Sequence, residues 1–340
     1  MGILDFLTQG IAMDLGTANF LLMQEDSVVV DEPAVVAFNR TSGEVIAVGR
    51  KAEQMEGKEH ENIRIIRPLK NGVIADFHAA EQMMKGMLQL VGKSRSRFAP
   101  SYKMVICVPS GITEVEKRAI RDSAVIAGAK EVYLIHEPIA AAIGIGLDVQ
   151  DSTGHMVIDI GGGTTEIAVI ALSGIVCDQS IRVAGDNFNA DIIHHVRRQH
   201  NMLIGQSTAE KIKLAVGAAL PELQHPPADY ALKGRDLLSG LPKQVMVSYQ
   251  EVAHYLDKSL TKIEEAILKT LEITPPELSS DIHHAGIYLT GGGALLRGLG
   301  TRIAARTKLP VHVVDEPLLA VVKGTGIALR DMHNLQFLMR

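Results

Sequence analysis

Two aspartates stand in matching places in this chain. Asp14 closes the apolar strand-like run of GIAMDLGTANFLLM, and Asp159 closes that of HMVIDIGGGTTEIAVIAL. Small and hydroxyl residues follow each one: Gly16, Thr17, Ala18 and Asn19 after the first, and Gly161, Gly162, Gly163, Thr164 and Thr165 after the second. Glycine lets a backbone come close to an anion, and successive N–H groups in a turn form a concave anion site. A carboxylate beside such a site makes chemical sense when a cation sits between acid and phosphate. Mg2+ keeps its waters, so the acids can hold it through them. Two such hairpins facing each other would clamp a triphosphate from both sides. An ordinary glycine turn with a capping aspartate is the plainer alternative, and it suits DLGTAN. It suits DIGGGTTE poorly, because three consecutive glycines cost ordering entropy that a simple hairpin avoids.

A third glycine turn is TGGGALLRG (290–298), with Gly291, Gly292, Gly293 and Ala294 between a strand and the start of a helix. It could lie under a nucleobase or ribose, or meet an α-phosphate at a helix N-terminus; a tight strand-to-helix turn is the alternative. Two other stretches are decoys. GMLQLVGKS (86–94) has five residues between its glycines, where a P-loop has four, and it continues a helical pattern. In HHVRRQH (194–200), His194 and His195 point to different helix faces and His195 and His200 are off the i, i+4 spacing, so these read as helix-surface histidines and not as metal ligands.

The elements that would carry these turns alternate in type. Strand-like runs fill 11–38, and EVIAVG after NRTSG reads as another hairpin. Residues 76–92 have helical spacing, KMVICVPSG (103–111) is a buried strand ending in a turn, and Thr113 with Glu116 forms a capping box for a helix through 127. VYLIHEP (132–138) reads as a strand before the small-residue run AAAIGIG, and helical segments follow at 187–200, 207–217 and 249–271. One strand–acid–turn–strand motif occurring twice among mixed strands and helices implies two related α/β halves. The 340 residues suit about two domains. A net charge of −5, from 34 basic and 39 acidic residues, argues against nucleic acid as a partner. Cys107 and Cys177 sit in or beside apolar runs and read as buried, reduced thiols of a cytosolic protein. No apolar run approaches the roughly 20 residues that span a bilayer, and no signal peptide is visible.

The motifs DLGTAN, VPSGITEVEKRAI, EPIAAAIG, DIGGGTTE, TGGGALLRG and VVKGTGIAL occur in the order of the actin/sugar-kinase/heat-shock-ATPase superfamily, and the match runs essentially end to end. Within it the chain resembles the MreB family of bacterial rod-shape actins, through HEPIAAAIG (136–144), GRDLLSGLP (234–242) and TPPELSSDI (274–282). The resemblance implies an α/β, actin-like ATPase fold. Two similar lobes, each with a mixed five-stranded sheet flanked by helices, would form four subdomains around a nucleotide cleft. Subdomain IA would take 1–34, 69–148 and 319–340; IB 35–68; IIA 149–184 and 250–318; and IIB 185–249.

The family's site carries over residue by residue. Asp14 and Asp159 would hold Mg2+ through water. Gly16, Thr17, Ala18 and Asn19 would meet the β/γ-phosphates of ATP from one side, and Gly161, Gly162, Gly163 and Thr164 from the other. Glu137 matches the water-activating residue, with Thr164 or Thr165 helping to place the same water; phosphoryl transfer needs mainly such positioning and charge neutralisation. On the bare sequence Glu137 also reads as a strand-end acid in a turn made by Pro138. Glu210 and Lys213 match the adenosine-contacting helix, although Ser207 and Glu210 also read as a capping box. Gly291, Gly292, Gly293 and Ala294 would make the nucleobase turn. Two positions depart from the family wording: Phe20, where a threonine is usual and a ring could crowd or stiffen the hairpin, and His136, where an acid is usual.

The resemblance also implies ATP hydrolysis coupled to assembly of the chain with itself, in paired protofilaments that organise cell-wall synthesis and maintain cell shape. Localisation would be cytoplasmic, peripheral at the inner face of the cytoplasmic membrane, with membrane proteins of the cell-wall elongation machinery as partners. MGILDFLTQ places Ile3, Leu4, Phe6 and Leu7 on one side of a helical wheel, a weak and reversible anchor that a filament would repeat. Phe98, near Arg95 and Arg97, suits an anionic headgroup layer. A small-molecule kinase of the sugar type is the alternative on this fold, and a chaperone-type ATP switch a third. The kinase would need a substrate-binding aspartate in the cleft, and the chaperone a further substrate-binding region.

Overall fold

The structure is a computed structural model, and it describes residues 8–91, 101–332 and 337–339. In chain order the first half comprises β1 (Thr8–Leu15), β2 (Asn19–Gln24), β3 (Ser27–Pro33), β4 (Val36–Asn39), β5 (Val45–Val48), α1 (Arg50–Glu53), β6 (Ile63–Ile66), β7 (Leu69–Lys70), β8 (Val73–Ile74), α2 (Phe77–Leu90), β9 (Ser101–Val108), α3 (Glu114–Ile126), β10 (Ala129–His136) and α4 (Glu137–Gly144). The second half comprises β11 (His155–Ile160), β12 (Thr165–Ala171), β13 (Gly174–Ile181), α5 (Gly185–His200), β14 (Met202–Leu203), α6 (Gln206–Val216), β15 (Tyr230–Asp236), β16 (Pro242–Val247), α7 (Tyr249–Ile273), α8 (Pro276–Ala285), β17 (Ile287–Thr290), α9 (Leu299–Thr307), β18 (Val311–Val313) and α10 (Ala320–Arg330).

The sequence repeat becomes a repeat of sheet topology. One five-stranded sheet has the order β10-β9-β1-β2-β3, and the other β13-β12-β11-β17-β18. In each, the strand that ends in the aspartate turns back into an antiparallel partner on one side and pairs in parallel on the other, β1 with β9 and β11 with β17. Five of the six residues of β11 and all seven of β12 are buried. Strands covered on both faces need near-continuous apolar runs, which is why MVIDI and IAVIA show no polar alternation. Two three-stranded sheets, β5-β4-β6 and β14-β15-β16, sit one in each half.

Each lobe has its own core. Phe20, Met83, Met84, Met87, Met104 and Ile106 fill the first, and Phe188, Ile192, Leu256 and Ile263 belong to the second. Phe20 is fully buried there, so its ring anchors the return strand of the first hairpin from below. A third core joins the halves, with Val105 and Ile135 of one sheet and Val157 and Ala168 of the other packed around Ile139, Ala142 and Val321. It is built on α4 and α10, which cross at two glycines. A Cβ on Gly144 would lie 1.9 Å from the Ala320 carbonyl oxygen, and one on Gly324 would lie 1.7 Å from that of Ala140. Only glycine permits that approach.

Several sequence expectations are corrected. The strand read over 132–138 ends at His136, and Glu137 opens a helix because Pro138 is tolerated in a first turn, where no intrahelical donor is needed. Glu137 therefore stands at a helix N-terminus, where a negative charge is favoured, and not in a proline turn. The helix expected to open in TGGGALLRG begins later: a 3-10 turn spans Gly292–Leu295 and α9 follows Gly298, whose φ is 77°. Helix α6 starts at Gln206 after Gly205 and has no side-chain cap bond, so the Ser207–Glu210 capping box is absent. Cys107 is buried, but Cys177 is only partly so; both are free thiols. The box at Thr113 and Glu116 is present, with Thr113 Oγ1 accepting from the Glu116 N–H at 3.3 Å.

Candidate functional site

The hairpin β1–β2 and the hairpin β11–β12 meet tip to tip across the two lobes. A Cβ on Gly162 would lie 2.6 Å from Ala18 Cβ and 3.0 Å from Ala18 N; one on Gly163 would lie 2.6 Å from Thr17 Oγ1 and 2.9 Å from Asn71 N. The second turn is closed by the Gly161 N–H donating to the Thr164 carbonyl at 2.9 Å. It is held from behind by α5, whose Gly185 and Asp186 N–H groups donate to the Gly161 and Gly162 carbonyls at 3.1 and 2.7 Å. The first turn is held by Thr17 Oγ1, which accepts from the Gly72 N–H at 3.0 Å. Gly16 is required by closeness as well: a Cβ there would lie 2.7 Å from the Asn19 carbonyl oxygen.

Behind the tips lies a cluster of acids. Burial pushes the Asp14 carboxyl up to about 6, opposed by the Cys107 Sγ–H, which donates to Asp14 Oδ1 at 3.1 Å. Burial and then the charges of Asp14 and Glu166 push Asp159 up to about 7. Glu137 is raised well above the usual carboxylate range by burial, then by Glu166, Asp14 and Asp159. Burial thus disfavours ionisation throughout this space, neighbouring carboxylates add to it at Asp159 and Glu137, and a dication there would reverse it. Among the described residues no group of three or more His, Cys, Asp or Glu side chains could hold a metal ion. Asp14 and Asp159, acids beside two glycine turns, would suit a hydrated cation held through water, as Mg2+ prefers.

Glu166 is the residue whose role the sequence reading missed. It was visible as the second acid of DIGGGTTE, but nothing local says what it faces. On β12 it is 1% exposed. Its Oε2 accepts from Ser110 Oγ at 2.8 Å and from the Ser110 N–H at 3.2 Å, and its Oε1 accepts from Ser180 Oγ at 2.6 Å. Ser110 Oγ also lies 2.6 Å from Asp178 Oδ2. A hydroxyl has one proton, so Ser110 Oγ can donate to only one of these two carboxylates at a time.

The two threonines differ. Thr165 is fully buried, and its Oγ1 donates to the Val183 carbonyl at 2.7 Å. Thr164 makes no side-chain hydrogen bond among the described residues and lies against Gly72. Glu210 and Lys213 join the site through α5: Glu210 Oε2 accepts from Asn189 Nδ2 at 2.7 Å and Lys213 Nζ at 2.8 Å, and Lys213 Nζ donates to the Gly185 carbonyl at 3.3 Å. Asn189 Oδ1 is buried without a partner among the described residues, an acceptor that a bound donor would satisfy. In the third turn Gly291 has φ 78°, and a Cβ there would lie 2.2 Å from Asp159 Oδ1; a Cβ on Gly293 would lie 2.2 Å from Ile160 Cγ2. Gly292 approaches Leu318, and Ala294 is buried. His136 keeps Nδ1 3.3 Å from the Pro109 carbonyl oxygen. Ile3, Leu4, Phe6, Leu7 and Phe98 lie outside the described residues.

Duplicated five-stranded sheets, two crossing helices between them and glycine hairpins meeting over a shared acid cluster define an actin-like α/β protein. Comparison with known proteins narrows this. The chain belongs to the MreB/Mbl family, whose model matches residues 8–337. It is 47% identical over 333 residues to the cell shape-determining protein MreB of Escherichia coli K12, covering 95% of this chain and 94% of that one. It is 44% identical over 326 residues to the cell shape-determining protein Mbl of Bacillus subtilis 168, covering 96% and 97%. Among solved structures, the AMPPNP-bound MreB 5 of Spiroplasma citri superposes with a TM-score of 0.90 at 37% identity, covering 96% of this chain and 97% of that chain. A MamK double helical filament shares the fold at a TM-score of 0.79 and 20% identity, covering 96% and 99%. This chain is thus an actin-like cytoskeletal protein, and the sugar-kinase reading is not favoured.

Proposed function

We propose that this protein binds and hydrolyses ATP and couples that cycle to assembly into membrane-associated filaments that organise cell-wall synthesis and maintain cell shape. The observation that supports this best is the apposition of Gly162 to Ala18 over Asp14 and Asp159, a two-sided cradle for a polyphosphate with acids placed for a cation. The relative from Spiroplasma citri has been solved with AMPPNP and with ADP.

In this reading the turn N–H groups of Gly16–Asn19 and Gly161–Thr164 bind the β/γ-phosphates. Mg2+, when bound, neutralises phosphate charge and so favours in-line attack. Asp14 and Asp159 would hold it through water. Glu137, at the N-terminus of α4, orients the attacking water with help from Thr164. Glu210, Lys213 and the Gly291–Ala294 turn hold the adenosine. Subdomains IA, IB, IIA and IIB follow the boundaries given above. Contacts between copies would use apolar side chains left in water, notably Leu238 and Leu241 on the β15–β16 hairpin (85% and 65% exposed) and Val115 on α3 (76%). The inner face of the cytoplasmic membrane and membrane proteins of the cell-wall machinery are the further partners. No helix among the described residues is long and apolar enough to cross a membrane; in this reading Ile3, Leu4, Phe6, Leu7 and Phe98 provide the attachment.

Sedimentation with Mg2+ and ATP tests the central reading: the protein should pellet with nucleotide and not without it. Phosphorylation of added glycerol or sugar without pelleting would favour a kinase instead. Co-sedimentation with anionic liposomes tests attachment. Removal of residues 1–9, or Phe98→Ala, should reduce it, and no reduction from either would remove the membrane from this proposal.

A further inference from the structure

The turn after β9 is gripped from both lobes at once. Pro109 offers its carbonyl to His136 Nδ1 at 3.3 Å, and His136 is the residue directly before Glu137. The next residue, Ser110, is held by the other lobe: its hydroxyl and N–H reach Glu166 Oε2 at 2.8 and 3.2 Å, and its hydroxyl reaches Asp178 Oδ2 at 2.6 Å. Glu166 is steadied in turn by Ser180 Oγ at 2.6 Å, and lies opposite Asp159 in the β11–β12 pairing. A Cβ on the neighbouring Gly111 would lie 3.5 Å from Ser180 Cβ, so the turn sits closely on β13.

We propose that Ser110 and Glu166 form an interlobe clasp that positions Glu137 against the second phosphate hairpin. The inference rests on the reading of Glu137 as the water-orienting acid. β12 starts at the end of the glycine turn, and α4 starts at Glu137. The Pro109–Ser110 dipeptide ties one to the other by hydrogen bonds on each side, 3.3 Å to His136 and 2.8 Å to Glu166. Hydrogen bonds to carboxylates are the stronger kind, and a displacement of about 1 Å at a reacting group can cost up to a hundredfold in rate. Both Glu166 oxygens are taken by Ser110 and Ser180, so Ser110 and Glu166 act as positioning residues whose loss should lower turnover more than nucleotide affinity.

The test compares Ser110→Ala, Ser110→Thr, Glu166→Ala and the double Ser110→Ala/Glu166→Ala below the concentration of assembly. Single-turnover phosphate release and ATP affinity are measured for each. Spin labels on Lys58→Cys and Glu222→Cys, in a Cys177→Ala background, report the cleft width without nucleotide. Ser110→Ala should slow phosphate release about tenfold, change ATP affinity less than threefold and broaden the label distance. Ser110→Thr, which keeps the hydroxyl, should restore all three, and the double variant should be no slower than the slower single. A Ser110→Ala rate within twofold of the parent would overturn the clasp, as would an affinity loss equal to the rate loss or strictly multiplicative singles. Glu137→Ala separates the two ideas. If it leaves turnover intact, the role of Glu137 fails. If it abolishes turnover while the clasp variants do not, only the clasp fails.

Discussion

Gly162→Ala isolates the closeness of the two lobes from everything else in the fold. Gly162 does not have a positive φ, so alanine adopts its backbone without strain. The added methyl would meet Ala18 Cβ at 2.6 Å and Ala18 N at 3.0 Å. Carbon atoms prefer about 3.5–4.0 Å, so the hairpins must separate by about 1 Å. Overpacking of this kind costs about 1–3 kcal/mol. The two lobes keep their separate cores, which the methyl does not reach, so the penalty falls on cleft closure. If ATP binds only the closed arrangement, affinity should fall by about 5- to 150-fold, while the urea midpoint shifts little. Gly161→Ala is the internal comparison, since a Cβ there meets only the Thr164 carbonyl oxygen at 3.4 Å and should lose less affinity. Isothermal titration with ATP and Mg2+ reads both. An affinity for the Gly162→Ala protein within twofold of the parent would show that the hairpins do not grip a shared ligand at this distance.

Gly324→Ala should lower stability by about 3 kcal/mol or more in urea unfolding, because the methyl would lie 1.7 Å from the Ala140 carbonyl oxygen and force α4 and α10 apart. Glu137→Ala should keep ATP affinity while slowing phosphate release at least a hundredfold in a single-turnover assay. Asp14 and Asp159 bind protons more tightly folded than unfolded, so without nucleotide they should make stability fall as pH rises from about 4 to about 7. Asp159→Asn should flatten that decline, raising stability at pH 8 by on the order of 2–4 kcal/mol, and should remove the Mg2+ dependence of ATP binding. Thermal unfolding at pH 5 and 8, with and without Mg2+ and ATP, measures both effects.

Read alone, the residues settled which pieces this protein is made of. An acid ending an apolar strand, then a run of glycines and hydroxyls, specifies a hairpin that can approach an anion, because backbone freedom and side-chain size are local properties. The recurrence of that pattern at Asp14 and Asp159 announced two similar sheets, and a long match to one family carried the fold with it. The long amphipathic helices, the Thr113 cap and the buried strands were legible for the same reason: periodicity and capping act over a few residues. What faces what was not legible. That Thr165 turns its hydroxyl to Val183, that Glu210 bonds Asn189 instead of capping its helix, and that Glu166 holds Ser110 all depend on pairs 18, 21 and 56 residues apart. Such partnerships, and the raising of buried carboxylates such as Asp159 and Glu137 by burial and by their neighbours, arise only when separate elements exclude water from a common space, and no stretch of chain carries that information by itself.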